Sequence, residues 1–242
     1  MPDARAPDLT GLPEAYHAWR TSELGQLTDR LEEELIAKLI GPLQGKRILD
    51  VGCGDGVLAV RLAEAGAFAT GLDADPRMLT AARKRAEATG TAITFVDGDI
   101  HSLPFADGSF DTVMAITVLC FVRDAERAVQ EMARVLRPGG RLVLGELGRY
   151  SLWAVKRRVA GWLGSKTSRH AMFRSASELR QLAKLAHLEV GQVRGAIYYP
   201  PCTLCPQWLA PHDQRLSTLT TFGAAFIALA ADKPDRILQR KP

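Results

Sequence analysis

The sequence predicts an α/β fold built on a doubly wound, largely parallel sheet, and three observations predict it. Between residues 46 and 147, short apolar runs alternate with helical patterns of about ten to fifteen residues, the rhythm of βαβ crossovers. The apolar runs are nearly continuous rather than alternating, as in strands covered on both faces. The composition is that of an ordinary globular chain: 47% hydrophobic and 24% charged over 242 residues. A chain of that size buries enough surface to need no disulfide staple. We read it as a single domain in three sections, residues 1–45, 46–147 and 148–242.

The elements follow in order. Leu27, Leu31, Leu35, Ile36, Leu39 and Ile40 recur at helical spacing, with Asp29, Arg30, Glu32, Glu33, Glu34 and Lys38 on the other face. Gly41-Pro42 ends this helix, which is expected to lie against the sheet. Strand Arg47–Val51 runs into a glycine loop, followed by helix Val57–Ala65 and strand Phe68–Leu72. Pro76 opens a helix that Gly90 closes. Ile93–Val96, Thr112–Ile116 and Arg141–Leu144 are further strands, with a helix over Ala125–Leu136. Later, Ser175 and Ser177 can cap a helix over Ser177–Ala186, and Leu188–Ile197 and Phe222–Ala230 read as strands. Pro200–Thr221 fits neither period.

Charge and cysteine content exclude several classes. A net charge of +4, spread along the chain, gives no basic footprint for nucleic acid. Asp3, Asp8, Glu14 and Glu23 interrupt the opening thirty residues, which resemble no export signal. A soluble cytoplasmic protein with its four cysteines reduced is the expectation.

The sharpest feature is Asp50-Val51-Gly52-Cys53-Gly54-Asp55-Gly56-Val57. A strand enters a loop with glycine at every second position and a helix leaves it, so a ligand can approach the backbone closely. Val57 stands where a dinucleotide fingerprint has its third glycine, and Asp50 would repel a phosphate but suit a cation. Asp73 ends the second strand, where a carboxylate can accept from both ribose hydroxyls. Asp99, beside Ile100, is placed to accept from an exocyclic amine. A nucleoside ligand with positive charge in its middle fits this set. S-adenosylmethionine is such a ligand, and NAD, with its pyrophosphate, fits worse.

Asp50–Gly56, Gly71-Leu72-Asp73, Gly98-Asp99 with Leu103-Pro104-Phe105 and Ser109-Phe110-Asp111, and Arg134-Val135-Leu136-Arg137-Pro138-Gly139-Gly140 together resemble the successive motifs of class I S-adenosylmethionine-dependent methyltransferases. Tyr16-His17-Ala18-Trp19 resembles an N-terminal helix that folds over the cofactor in a subset of them. The resemblance implies a Rossmann-like seven-stranded sheet with its last strand antiparallel, a helical cap and a lid insertion. It implies that Gly52, Cys53 and Gly54 lie against the methionine part of the cofactor with Asp50 nearby, and that Tyr16 and Trp19 cover it. Asp73 would hold the ribose, Ala74 and Met78 would flank the adenine, Asp99 and Ile100 would take its edge, and Ile116 would sit by the sulfonium. Relatives often carry an acid or histidine after the fourth strand, whereas this chain reads Leu119-Cys120-Phe121-Val122.

The chemistry expected is transfer of a methyl group, by in-line displacement, to a small, largely apolar acceptor: a lipid, a quinone-like or a thiol compound. Alignment and exclusion of water are what this requires, and a base matters only for an acceptor protonated at working pH. Tyr16 and His17 are the candidates for such a base. Cys120, Tyr150, Trp153, Tyr198 and Tyr199 are candidate acceptor contacts. An NAD-dependent oxidoreductase and a non-catalytic cofactor-binding module are the alternatives.

Leu152, Val155, Val159, Trp162 and Leu163 share a helical face within 149–163, with Lys156, Arg157 and Arg158 mostly off it. A lid packed on its own domain through that face is the first reading, and peripheral membrane contact the second. Cys202 and Cys205 form half a metal site that Cys120 could extend, but no resident metal is expected.

Overall fold

The computed structural model describes residues 21–162, 172–201 and 206–235. Helix α1 (Glu23–Ile40) starts at Ser22, whose hydroxyl accepts from the Gly25 N–H at 3.0 Å. It is followed by β1 (Arg47–Val51), α2 (Val57–Glu64), β2 (Phe68–Asp73), α3 (Pro76–Thr89), β3 (Thr94–Asp97) and β4 (Phe110–Ile116). The chain continues through a short 3-10 turn (Leu119–Phe121), α4 (Ala125–Val135), β5 (Leu136–Leu147), α5 (Leu152–Trp162), α6 (Ala176–Leu185), β6 (Glu189–Ala196), α7 (Pro206–Leu219) and β7 (Phe226–Asp232).

The seven strands form one sheet in the order β3-β2-β1-β4-β5-β7-β6. Pairings from β3 to β5 are parallel, and β7 runs antiparallel between β5 and β6. The doubly wound sheet with an antiparallel last strand is therefore present as expected. The chain order reverses direction between β1 and β4, so the crevice outside their carboxyl ends is where such sheets take ligands.

Both faces are covered. On one, Leu35, Ile36, Leu39 and Ile40 of α1 pack with Ile48, Met114, Val143, Phe226 and Tyr199. The amphipathic first helix thus lies against the sheet. On the other face, Val129 and Met132 of α4 and Leu179 and Ala183 of α6 pack on Leu49, Val113, Leu142, Leu144 and Leu229.

Several boundaries moved. The last strand begins at Phe226 rather than Phe222, because Gly223 turns with φ +87° and Phe222 stays in solvent. Strand β5 runs on to Leu147, beyond the apolar run ending at Leu144. The stretch that fitted neither period holds α7, a helix carrying Pro211 in its interior, which blurs the periodic signal. Asp213 on α7 is buried and accepts from the Ile197 and Tyr198 N–H groups at 3.0 and 2.9 Å, tying the helix to the end of β6. Helix α5 is present, but it packs by the other side: Trp153 and Ala154 are buried while Leu152, Val155 and Val159 face solvent. The lid packed through Leu152, Val155 and Val159 is therefore corrected. Trp162 and Leu163 of that expected face, like Cys202 and Cys205, fall outside the described side chains.

Candidate active site

The glycine loop is built by its backbone. As the chain leaves β1, the Gly52 and Cys53 N–H groups both donate to the Leu72 carbonyl, at 2.6 and 3.0 Å. That turn requires positive φ at Gly52 (+71°), Gly54 (+54°) and Gly56 (+77°). Gly52 faces the chain beyond β4, where a Cβ would press into the Val118 side chain. At Gly54 a Cβ would meet nothing within 4 Å among the described residues, so they leave this part of the loop open. Arg85 of α3 pins the outer loop, holding the Asp55 carboxylate at 2.7 Å and its carbonyl at 3.0 Å.

Three carboxylates surround the loop. Asp50 is buried at the end of β1, and its Oδ2 has no hydrogen-bond partner among the described residues. Burial, and then the neighbouring Asp73 carboxylate, push its pKa up to about 7. Asp73 accepts from the Gly54 N–H through Oδ2 and from the Asp75 N–H through Oδ1, both at 2.9 Å, which fixes its carboxylate beside the loop. Asp99 is largely exposed after β3 and commits Oδ1 to the His101 N–H and ring Nδ1, at 2.9 and 2.8 Å. Those bonds, the backbone one first, hold its carboxyl below the usual range. Ala74 is exposed and Met78, Ile100 and Ile116 are half-buried around the same end of the sheet.

Cys53 packs inward: a Cβ on Gly71 would come within 2.8 Å of its Sγ. Its backbone belongs to the loop, and burial first, then Asp50, raises its thiol pKa. Of the acceptor candidates, Trp153 and Tyr199 are core residues. The Trp153 indole donates to the Tyr199 carbonyl at 2.8 Å, and the Tyr199 hydroxyl pairs with Thr28 at 3.1 Å. Burial pushes the Tyr199 pKa up to about 12. They are placed as structure rather than as acceptor contacts. Cys120 is also buried, its thiol raised by burial first and by Glu146 second. Tyr198 is half-buried with its hydroxyl on the Thr220 carbonyl, while Tyr150 is exposed and stacks on Phe222. Tyr16, His17 and Trp19 lie outside the described residues. No cluster of three or more metal-ligating side chains occurs among the described residues.

The motif around Arg134 positions rather than reacts. Arg134 grips Glu131, Asp107 and the carbonyls of Leu103 and Phe105, at 2.8–2.9 Å, and so holds the chain between β3 and β4.

Sequence reasoning missed Glu146. Fully buried on β5, it accepts from the Leu119 and Val118 N–H groups through Oε1 at 2.7 and 3.2 Å, and Oε2 has no partner among the described residues. It therefore holds the turn that carries Val118 against Gly52. That turn is strained at Thr117, a non-glycine residue at φ +58° whose N–H donates to the Gly145 carbonyl at 2.7 Å. Burial raises the Glu146 pKa to about 7, against the opposing effect of those N–H donors. An acid just past the apolar run ending at Leu144 and followed by Leu147 was the available signal, since a buried charge persists only where it is bonded.

Glu146→Ala is expected to cost about 3 kcal/mol by orphaning both N–H donors and leaving a void. In thermal melting this is a fall of about 6–12 °C. Glu146→Gln, which keeps the acceptor without a charge to desolvate, should melt much closer to the parent. Because the native pKa is raised, the stabilisation from Glu146 is present below its usual pKa near 4.5 and is lost as pH rises towards about 7. The Gln variant should lose that slope. Equal melting of the Ala variant and the parent would remove the assignment.

The donor set fits S-adenosylmethionine. An orphaned buried carboxylate stands ready for positive charge, an open glycine borders the loop, and acids end β2 and follow β3. A pyrophosphate would meet Asp50 unfavourably. Comparison with known proteins agrees. The "Methyltransferase domain" family matches residues 49–144. The chain is 36% identical over 168 residues to a ubiquinone biosynthesis O-methyltransferase of Paracidovorax citrulli, covering 66% of this chain and 71% of that one. It is 30% identical over 226 residues to a ubiquinone biosynthesis O-methyltransferase of Azorhizobium caulinodans, covering 90% and 88%. A solved S-adenosylmethionine-dependent methyltransferase of Thermotoga maritima has the same fold, with a TM-score of 0.72 at 24% identity over 93% of this chain and 97% of that one. With its sheet order, its glycine loop and its relatives in agreement, the chain belongs to the class I S-adenosylmethionine-dependent methyltransferases and is a methyltransferase enzyme that uses this cofactor.

Proposed function

We propose that the acceptor is a hydroxylated, largely apolar ring compound of quinone type and that the methyl group goes to a hydroxyl oxygen. The observation that carries this reading is the likeness to ubiquinone biosynthesis O-methyltransferases along two thirds of the chain or more, and along nine-tenths of it for that of Azorhizobium caulinodans. When bound, S-adenosylmethionine supplies a methyl group on a positively charged sulfur that can leave as a neutral thioether.

The tasks left to this chain are to hold, to align and to keep water out. Asp50 answers the positive charge, Asp73 and Asp99 hold the ribose and adenine ends, and the Gly52–Gly54 backbone sets the depth of the methionine part. Ile116 and Val118, at the carboxyl end of β4, form apolar walls beside the reacting centre. Glu146 fixes Val118 through the backbone N–H it receives. Tyr16 and His17 are kept as candidate groups to take the hydroxyl proton, which must leave as the new carbon–oxygen bond forms. A thiol or an amine acceptor is the opposing outcome of the test.

Purified protein with methyl-labelled S-adenosylmethionine should be offered a catechol bearing an alkyl chain, an alkanethiol and a primary amine. Label is expected in an organic-soluble methyl ether of the catechol. Label only in the thioether or the methylamine would overturn the hydroxyl assignment. S-adenosylhomocysteine binding without transfer to any of the three would overturn the acceptor class.

A further inference from the structure

Methyl transfer leaves the outer side of α5 unexplained. At about 100° of rotation per residue, Trp153 and Ala154 project to one side of this helix and are buried. Leu152, Val155 and Val159 project to the other and are 59%, 53% and 44% exposed. Lys156 and Arg158 flank that stripe on its two sides, both exposed. Just before the helix, Tyr150 is 58% exposed and stacks on Phe222, itself 73% exposed, with ring centroids 6.0 Å apart. The patch therefore joins segments distant in sequence.

Its position adds to this. Strand β5 ends at Leu147 and the antiparallel β7 begins at Phe226, so Tyr150 and Phe222 stand at the carboxyl edge of the parallel strands. The glycine loop opens at that same edge.

Scattered exposed apolar residues are ordinary, but a continuous stripe edged by cations is not. The charge is available there. Arg149 is taken by Glu178 at 2.8 Å, whereas Lys156 and Arg158 form no ion pair among the described residues. Among the described residues Lys156 reaches the Pro201 carbonyl and Arg158 the Arg149 carbonyl, each at 3.4 Å, with the Arg158 guanidinium over the Phe173 ring. Aliphatic side chains between long cationic ones suit the boundary between acyl chains and anionic headgroups, where the stems lie in the apolar layer and the charges meet phosphate. No described helix is long and apolar enough to cross a membrane.

We propose that α5 and the Tyr150–Phe222 stack dock this protein reversibly on an anionic lipid surface, with the mouth of the site turned towards the bilayer. The proposal goes beyond methyl transfer and holds whichever acceptor is used. Co-sedimentation with phosphatidylcholine vesicles, with and without phosphatidylglycerol, tests it. The parent chain is expected to sediment with the anionic vesicles only, and less so as salt is raised. Lys156→Glu with Arg158→Glu should lower the partition coefficient at least about twenty-fold. Val155→Ser with Val159→Ser should lower it about ten-fold. Both pairs should leave thermal melting and S-adenosylhomocysteine binding unchanged, since neither touches the glycine loop. A parent chain that stays in the supernatant overturns the proposal, as does parent-like sedimentation of both variants. If the serine variants instead shift only the mass of a self-associated species, the stripe belongs to a second copy of this chain and the proposal fails.

Discussion

Gly52→Val is expected to reduce S-adenosylhomocysteine affinity by at least about a hundred-fold, the combined result of overpacking and left-handed strain worth about 3 kcal/mol. The position combines φ +71° with a Val118 side chain already within contact of any added Cβ, its Cγ1 at 2.8 Å. Relief at Gly52 would push the turn after β4 outwards, against the hold of Glu146 on Leu119. Gly45→Val is the matched control, because Gly45 also has positive φ (+70°) but a Cβ there meets nothing within 4 Å. It should cost stability and leave affinity near that of the parent. Adding Val118→Ala to Gly52→Val should recover part of the loss, and isothermal titration of all four chains decides the matter. Undiminished affinity in Gly52→Val would mean that the loop does not bear on the cofactor.

Binding of S-adenosylmethionine is expected to strengthen as pH rises from 6 to 8, by up to about ten-fold per pH unit where Asp50 governs. Burial and Asp73 place the Asp50 pKa near 7 in the free protein, so the acid is partly protonated there. Positive charge beside it favours the carboxylate, and binding must then release a proton. The sign for the free protein is opposite. A raised native pKa means that the contribution of Asp50 to stability is present below its usual value near 3.8 and is lost as pH rises towards about 7. Binding, by lowering that pKa, opposes the trend. Titration in buffers of different ionisation enthalpy should show proton release near pH 7, and Asp50→Asn should bind more weakly and abolish it. A pH-independent affinity in the parent would show that Asp50 does not meet the positive charge.

Much of this site could be read from neighbouring residues. The loop Asp50–Gly56 and the acids Asp73 and Asp99 announce themselves because each follows a strand at once, and the end of a strand is where a parallel sheet offers its groups. Glu146 gave no such signal. Its partners, Val118 and Leu119, come from another strand's exit, so its role exists only once β4 and β5 pair, with Ile116 beside Gly145. Tyr199 and Trp153 misled in the opposite way. Large aromatics on the helix within 149–163 and just past a strand suggest a pocket wall, yet a hydrogen bond between them and contact with α1 make them core. Helix α5 shows the limit most clearly. Its periodicity was legible, but Leu152, Val155 and Val159 form as plausible an inner face as Trp153 and Ala154.

By itself, then, the order of residues determined the alternation of strands and helices, the doubly wound class and the cofactor, because each depends on contacts close along the chain or on motifs a few residues long. The tertiary structure alone decided which side of α5 meets water, which tyrosine is core, and that Glu146 holds the turn facing Gly52. Those outcomes depend on segments that meet across the sheet, where packing volume and the need to satisfy buried polar groups choose among faces that are locally equivalent.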